Sequence, residues 1–204
     1  VGKRNALGYL GTINTTDPGG ERDLLKDNYL NYGNETRLIH RYGLFNQISA
    51  LVAGVRLYRG HTQKRQGNGS AGDGPNFSYL RPNNLEKSDF NFPSSNVAVF
   101  VENAFNLTDK FTVSPGVRYE WLRTEASGTF REIRTNLAND TIYDQSNQSF
   151  QESTRGFLIG GIGLSYQFEP WLEGYANISQ NYRAINFNDM KIVNPNFQVD
   201  PNLQ

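Results

Sequence analysis

Two runs of strictly alternating residues, joined by a short turn, limit what this chain can fold into more than any other feature. Residues 95–125 read SNVAVFVENAFNLTDKFTVSPGVRYEWLRTE, with the turn at residues 106–110. In the second run every other residue is bulky or apolar: Phe111, Val113, Pro115, Val117, Tyr119 and Trp121. The residues between them are small, polar or charged: Thr112, Ser114, Gly116, Arg118 and Glu120. A period of two indicates a β-hairpin with one apolar and one polar face, so the apolar face must lie against protein or lipid.

The same pattern occurs in two further segments, which predicts an all-β antiparallel fold. Hairpins are predicted at about residues 35–60, 96–123 and 156–184, which with a strand end before residue 34 makes six or seven strands. Leu51, Ala53, Val55 and Leu57 share one face in the first of these hairpins. Because proline removes a hydrogen-bond donor from the ladder, we expect a bulge at Pro115.

Long polar segments separate the predicted hairpins, whereas the turns inside them are short. The long connections are predicted at about residues 14–31, 61–87 and 124–154. Short turns at one rim and long extracellular loops at the other are typical of a transmembrane β-barrel. No apolar run of about 18 residues occurs, which excludes a transmembrane helix but leaves barrel strands of about 10 residues open. The alternative is a soluble β-sandwich or lectin-like binding module, in which a second sheet would shield Val113, Val117 and Tyr119 from water.

Aromatic residues lie where the predicted strands would leave a bilayer. Barrels carry aromatic girdles at both interfaces, on either side of an aliphatic band. We therefore predict a girdle, which consists of Phe105, Phe111, Tyr119, Trp121, Phe168 and Trp171.

Composition and motifs exclude several classes of function. Lys and Arg together number 20, as do Asp and Glu, so no basic excess points to nucleic acid. Cysteine is absent and only His40 and His61 are present, so we predict no metal centre and no cofactor. Residues 67–72 spell GxGxxG, but no buried strand precedes them and no helix can follow, so they are interpreted as a loop. No GxSxG, HExxH or Walker pattern occurs, and we predict that the protein is not an enzyme, which ranks an outer-membrane lipase last.

Basic residues gather in and beside the first predicted long loop between hairpins. Guanidinium groups bind carboxylates bidentately, so clustered arginines suit a carboxylate-rich ligand. The predicted ligand residues, chosen by position and charge, are Arg59, His61, Arg65, Arg81 and Arg155. Solvation, salt bridges between loops, and contact with lipopolysaccharide phosphates are the competing interpretations.

The ordered series of segments resembles the barrel of TonB-dependent outer-membrane receptors, and is most similar to the branch of the ferric citrate receptors. Residues 96–128, NVAVFVENAFNLTDKFTVSPGVRYEWLRTEASG, carry the strongest resemblance. Further matching segments are NYGNETRLIHRYGLF (31–45), LVAGVRLYRGHTQKRQGNG (51–69), GIGLSYQFEPWLEGYANISQNYRAINFNDM (161–190) and NPNFQVDPNL (194–203). The resemblance covers almost the whole chain.

The resemblance implies a central part of a barrel of about 22 strands, with a plug domain in its lumen. The chain begins at Val1 without an initiator methionine and ends just after a loop-like segment, so we expect a piece of a longer protein. The plug and the TonB box are expected outside these residues. The implied function is uptake of a ferric chelate, such as ferric citrate or another siderophore, across the bacterial outer membrane. The implied partners are that ligand, outer-membrane lipid and TonB.

Overall fold

The computed structural model describes residues 1–8, 20–72, 74–138 and 140–182. These residues form one antiparallel sheet of seven strands and no helix. The strands are β1 (Gly2–Gly8), β2 (Arg22–Leu44), β3 (Gln47–Gly69), β4 (Ser88–Asn106), β5 (Phe111–Thr135), β6 (Thr141–Glu169) and β7 (Leu172–Ser179). The predicted all-β antiparallel fold is confirmed. Residues 14–19 of the first predicted loop and the end of the third predicted hairpin, residues 183 and 184, lie outside the described residues.

Each strand pairs with its neighbours in chain order, from β1 to β7. No helix among the described residues is long and apolar enough to cross a membrane. The described part of the chain has no second sheet, and Val117 and Tyr119 are 39% and 45% exposed. The soluble β-sandwich alternative required both of these side chains to be shielded by a second layer, so the structure does not support it.

Three tight turns lie at one end of the sheet, which we call the turn end; the opposite end is the loop end. Phe45 and Asn46 join β2 to β3, and both have positive φ, 51° and 59°, as a two-residue type I′ hairpin requires. Pro170 and Trp171 join β6 to β7, since Glu169 pairs with Leu172. Residues 107–110 join β4 to β5. The turn end is therefore compact.

The strands extend further toward the loop end than the sequence analysis predicted. Nearly all of residues 124–154, predicted as a loop, belong to β5 and β6, which leaves only residues 136–140 as a connection. Residues 61–69 and 22–31 are also strand, within β3 and β2. Each predicted strand ended where the apolar alternation ended. Backbone N–H and C=O groups form ladder hydrogen bonds whatever the side chains are, so the observed strands continue through polar sequence. The segment that remains between β3 and β4 is residues 70–87.

No bulge occurs at Pro115, contrary to prediction. The register between β4 and β5 is the same on both sides of it, with Glu102 opposite Gly116 and Phe105 opposite Val113. The pairs in between are missing from the ladder because proline has no N–H to donate. Pro93 of β4 interrupts the same ladder between the pairs Asn91–Ser127 and Ser94–Thr124. The sheet thus accepts both prolines by losing hydrogen bonds rather than by shifting register.

Little of the apolar surface is buried within the sheet itself. Among the described residues the buried hydrophobic side chains are Leu24, Phe90, Phe92, Ala98 and Ala126. Three of these, Phe90, Phe92 and Ala126, form a small cluster with Phe130 near the loop end. Exposed apolar area costs about 25 cal/mol per Å² in water. The remaining apolar side chains therefore need a cover outside the sheet.

Candidate functional site

Strand pairing assigns each side chain to one of two faces of the sheet. Directly paired residues share a face, and successive residues of one strand alternate. The first face, called the apolar face along the whole sheet, contains the paired row Thr36, Val55, Val99, Tyr119 and Leu158. The second, called the polar face, contains the adjacent row Arg37, Gly54, Phe100, Arg118 and Ile159.

The apolar face carries a continuous band of exposed hydrophobic side chains. Each of them is between 38% and 70% exposed: Leu38, Val55, Leu57, Val97, Val99, Val101, Val117, Tyr119, Leu158, Ile162 and Leu164. Soluble monomers rarely expose contiguous apolar patches larger than a few hundred Å². The band is therefore a contact surface for lipid or for another protein.

Most of the predicted girdle residues lie on the apolar face, near the two limits of this band. Strand pairing places Phe105, Phe111, Tyr119 and Trp121 there, and the ring of Phe168 packs against that of Tyr166 on the same face. Trp171 lies in the turn between β6 and β7 and is 81% exposed. Ten residues separate Phe111 from Trp121, which at about 3.3 Å per residue and about 40° of tilt spans about 25 Å. That length equals the usual height of a barrel's apolar band, and the girdle role stays a prediction.

A ring packed between two cations occupies the centre of the polar face. The guanidinium carbons of Arg37 and Arg118 lie 5.9 and 5.5 Å from the centroid of the Phe100 ring. The ring covers Gly54 so closely that a Cβ added there would lie 2.3 Å from its Cζ atom. Each cation–π contact stabilises by about 0.5–1 kcal/mol at an exposed site. Gly54 is thus the residue that lets the ring lie between the two arginines.

Carboxylates balance only some of the cations on the polar face. Arg118 Nε donates to Glu120 Oε1 at 2.5 Å, and Arg37 Nε donates to Glu35 Oε1 at 2.6 Å. By contrast, Arg41 and Arg56 are exposed and form no hydrogen bond or ion pair with other described residues. An anionic group that approaches this face finds two guanidinium groups free to bind it.

Near the loop end the polar face holds a buried carboxylate with basic neighbours. Asp27 is 1% exposed; it accepts a hydrogen bond from Tyr29 at 3.0 Å and pairs with Arg4 at 2.5 Å. Lys64 lies opposite Asp27 in β3 and is itself opposite Phe90 of β4. Burial lowers the pKa of Lys64, and burial together with the hydrogen bond to Asp27 raises the pKa of Tyr29. Strand pairing thus gathers two cations, one carboxylate and an aromatic ring.

The structure separates the five predicted ligand residues. Arg59, His61 and Arg65 lie in β3 rather than in a loop, and all three are on the apolar face. Arg81 lies in the connection between β3 and β4 and is bound to two carboxylates. Arg155 is on the polar face, where its Nη1 donates to the hydroxyl of Tyr182 at 3.0 Å.

The connection between β3 and β4 is held against the loop end of the apolar face. Lys26 Nζ and Arg65 Cζ lie 5.1 and 5.3 Å from the ring centroid of Tyr79. Its hydroxyl donates to the carbonyl of Arg65 at 2.9 Å, and burial raises the pKa of Tyr79 to about 12. Arg81 adds ion pairs to Glu21 at 3.0 Å and to Glu86 at 2.7 Å. The connection is therefore anchored at two points.

We expect this anchorage to weaken at acid pH. The hydrogen bond from Arg81, with a second from Asn68, lowers the pKa of Glu21 below its ordinary value of 4.5. Since the pKa is lower when the connection is docked, the contribution of Glu21 is complete above about pH 4.5 and is lost as pH falls through the lowered value. Hydrogen exchange of residues 75–86 in the intact receptor should show protection factors that fall in that window. Arg81→Gln should make this fall in protection smaller, since only the hydrogen bond from Asn68 then remains on Glu21. Protection in the parent protein that persists at pH 2 would contradict the assignment.

The residues at the loop end of the polar face were not among those predicted from the sequence. Arg4 precedes residue 34, where only a strand end was predicted, and Asp27 and Lys64 fall in the predicted loops at about residues 14–31 and 61–87. A signal was present: Asp27 and Tyr29, like Thr62 and Lys64, are two apart and therefore share a strand face. That these pairs meet follows only from the register of β1, β2 and β3.

Comparison with known proteins identifies a family. A family model described as "TonB dependent receptor-like, beta-barrel" matches residues 3–204. A search of curated proteins finds no match. The family match covers nearly the whole chain, including β2 to β7 and all of β1 except Gly2.

Proposed function

The chain belongs to the TonB-dependent receptor family of β-barrels, and we propose that it forms part of the wall of an outer-membrane transporter for a ferric chelate. Members of this family are outer-membrane transporters rather than enzymes. Ferric citrate or another siderophore complex is the substrate class that we propose. The single observation that supports a transporter wall is the contrast between an exposed apolar band of about bilayer height and a charged opposite face.

In the proposed arrangement the apolar face is turned to lipid and the polar face to the lumen. A barrel wall in lipid has its backbone groups paired within the sheet. The ladders from β2 to β6 are continuous apart from the two proline sites between β4 and β5 and a register shift between Arg134 and Thr135, close to the loop end. The turn end then lies at the periplasmic rim and the loop end outside the cell. We propose that TonB acts through a plug domain that the polar face surrounds.

The charges of the polar face suit a carboxylate-rich ligand. Arg4, Lys64 and Arg155 share this face on the loop-end side of the apolar band. The Phe157 ring, two residues from Arg155, stacks on Tyr182 at 3.9 Å between centroids. Guanidinium groups bind carboxylates bidentately, with bonds roughly twice as strong as neutral ones. No bond of the ligand is made or broken in this proposal. The residues only bind the chelate and orient it above the lumen.

Of the five residues predicted from sequence, we retain Arg155 as the proposed ligand contact. Its side chain is on the polar face, so a ligand in the lumen can reach it. Arg59, His61 and Arg65 are on the opposite face, and Arg81 is engaged by Glu21 and Glu86.

We expect Arg155→Ala to weaken binding of ferric citrate to the intact receptor by about tenfold, because hydrogen bonds to charged groups contribute about 1.5–3 kcal/mol. The matched control is Arg123→Ala, since Arg123 is opposite Thr154 in the adjacent row and on the apolar face. The affinities of the two variants for ferric citrate are measured by isothermal titration calorimetry on detergent-solubilised receptor. Equal affinities for Arg155→Ala and Arg123→Ala would remove Arg155 from the site. If the parent receptor binds cobalamin or a neutral oligosaccharide and no ferric chelate, the substrate class is wrong.

A further inference from the structure

We propose that the turn end of the apolar face binds the headgroup of a zwitterionic phospholipid, with Lys110 as the phosphate contact and Asp109 as the ammonium contact. Both residues lie in the turn between β4 and β5. The proposal rests on the outer-membrane orientation given above, which puts the turn end at the inner leaflet. It concerns a site apart from that of the transported ligand.

A cavity of about 620 Å³ opens on the apolar face beside this turn. It is lined by Thr108, Asp109 and Lys110 of the turn, with Phe111 of β5 and Tyr166 of β6. The two aromatic residues are directly paired on the apolar face, and their ring centroids lie 6.2 Å apart. Small-molecule sites usually measure about 300–1,000 Å³, so the cavity has room for a headgroup and the glycerol that carries it.

The rings of this cavity mark the limit of the apolar band at the turn end. Phe111 is the predicted girdle residue there, and the ring of Phe168 packs against that of Tyr166 at 4.9 Å between centroids. Aromatic side chains are enriched where hydrocarbon gives way to headgroups. Asp109 and Lys110 immediately precede Phe111 in the chain, so they are placed at the depth of the phosphate and ammonium groups.

The two charges beside the cavity have only neutral partners. Asp109 Oδ1 accepts a hydrogen bond from the side-chain amide of Gln47 at 2.5 Å, and Lys110 Nζ donates to the carbonyl of Phe168 at 3.2 Å. Neither Asp109 nor Lys110 forms an ion pair with another residue that the structure describes. A carboxylate and an ammonium on successive residues complement a phosphate that a short linker joins to an ammonium.

The turn that carries these charges is held by its own hydrogen bonds and by β6. The hydroxyl of Thr108 accepts hydrogen bonds from the backbone N–H groups of Lys110 and Phe111, at 3.2 and 3.0 Å. The carbonyl of Lys110 accepts from the backbone N–H of Gln167 at 2.8 Å. Because the turn is already fixed in one conformation, little binding energy is lost in ordering it around a headgroup.

The test compares one variant of each contact with a control on the other face. Lys110→Gln removes the phosphate contact, and Asp109→Asn removes the ammonium contact. The control is Arg41→Gln, since Arg41 is exposed near the same end of the sheet but on the polar face, opposite Ala50. The intact receptor in a nonionic detergent is titrated with phosphatidylethanolamine, and with phosphatidylglycerol, which lacks the ammonium group. Native mass spectrometry measures the bound lipid, and binding of ferric citrate is measured on the same preparations.

We expect Lys110→Gln to bind phosphatidylethanolamine about fivefold more weakly than the parent, which is the equivalent of about 1 kcal/mol. It should weaken binding of phosphatidylglycerol to a similar degree, because both lipids carry the phosphate. Asp109→Asn should weaken binding of phosphatidylethanolamine about threefold, as the loss of an exposed ion pair does, and should not weaken binding of phosphatidylglycerol. Arg41→Gln should match the parent with both lipids.

The selectivity of Asp109→Asn between two lipids is read on one preparation, so a loss of folded protein cannot produce it. Equal weakening of both lipids by Asp109→Asn, or a parent that binds phosphatidylglycerol as tightly as phosphatidylethanolamine, would overturn the zwitterionic assignment. Weakening by Arg41→Gln as large as that by Lys110→Gln would show a nonspecific effect of charge and overturn the site. A parent receptor that binds no ferric chelate would refute the proposed substrate and leave the lipid result standing, whereas failure of the lipid tests alone would leave the proposed transporter standing.

Discussion

Replacing Gly128 with alanine is expected to lower the free energy of unfolding of the intact receptor by about 3 kcal/mol. Gly128 of β5 pairs with Phe90 of β4 on the polar face. A Cβ added there would lie 2.1 Å from the carbonyl oxygen of Asp89 and 2.7 Å from the Cα atom of Phe90. Both are backbone atoms, so no side-chain rotation relieves the overlap and the two strands must separate. Separation also disturbs the buried Phe90, Phe92 and Ala126 cluster beside the pair.

The control is a glycine of the neighbouring strand. Gly160→Ala, in β6, adds a Cβ with nothing within 4 Å of it, and alanine loses less backbone entropy on folding than glycine. Urea unfolding of the receptor in detergent, followed by tryptophan fluorescence, should give a lower midpoint for Gly128→Ala and no lower midpoint for Gly160→Ala. If the two variants have the same midpoint, the close approach of β4 and β5 at Gly128 is not present in the receptor.

The hairpins and their two faces could be predicted because side-chain direction in a strand has a period of two. Val113, Val117 and Tyr119 were assigned to one face from their spacing alone, and strand pairing puts them there. The first hairpin was predicted at about residues 35–60, and its turn lies within that range, at Phe45 and Asn46. Hairpins and the face of each strand residue depend on residues close together in the chain, so they can be deduced from the sequence alone.

The length of the strands was missed because polar strands have the composition of loops. Residues 124–135 and 141–154 contain few apolar side chains, yet their backbones pair through most of their length. What keeps this hairpin extended is the ladder itself, with ion pairs such as Arg131 to Asp144 at 2.5 Å. Neither the ladder nor the ion pairs follow from hydrophobic periodicity, so the predicted ends of both strands fell short of the observed ones.

The candidate ligand residues show how much depends on register. Arg59 and Arg155 were grouped because both were thought to lie in or beside loops, but they point to opposite faces of the sheet. The alternation from Leu57 through Arg59 to Arg65 was available in the sequence and would have put these arginines on the apolar face. The meeting of Arg4, Asp27 and Lys64 was not available, because it requires the register of three strands.

Replacing Val117 with lysine is expected to destabilise the receptor in phospholipid vesicles by about 2–4 kcal/mol, the usual cost of a cation on the lipid face near the bilayer midplane. Val117 is 39% exposed and lies between Phe111 and Trp121, near the middle of the apolar band. No carboxylate is paired with it, since its cross-strand neighbours are Val101 and Gly160. A lysine there must either leave its charge in hydrocarbon or distort the bilayer to reach water.

The matched control is Ser114→Lys, on the same strand but on the polar face, where Gly163 opposite it leaves room for the longer side chain. Its ammonium group would face the lumen, so the free energy of unfolding measured by denaturant titration in vesicles should change by less than about 1 kcal/mol. Equal costs for the two lysines would mean that the band is covered by protein rather than by lipid. A larger cost for Ser114→Lys would reverse the assignment of the two faces, and with it the lumenal position of Arg155 and the lipid-facing position of the cavity beside Lys110.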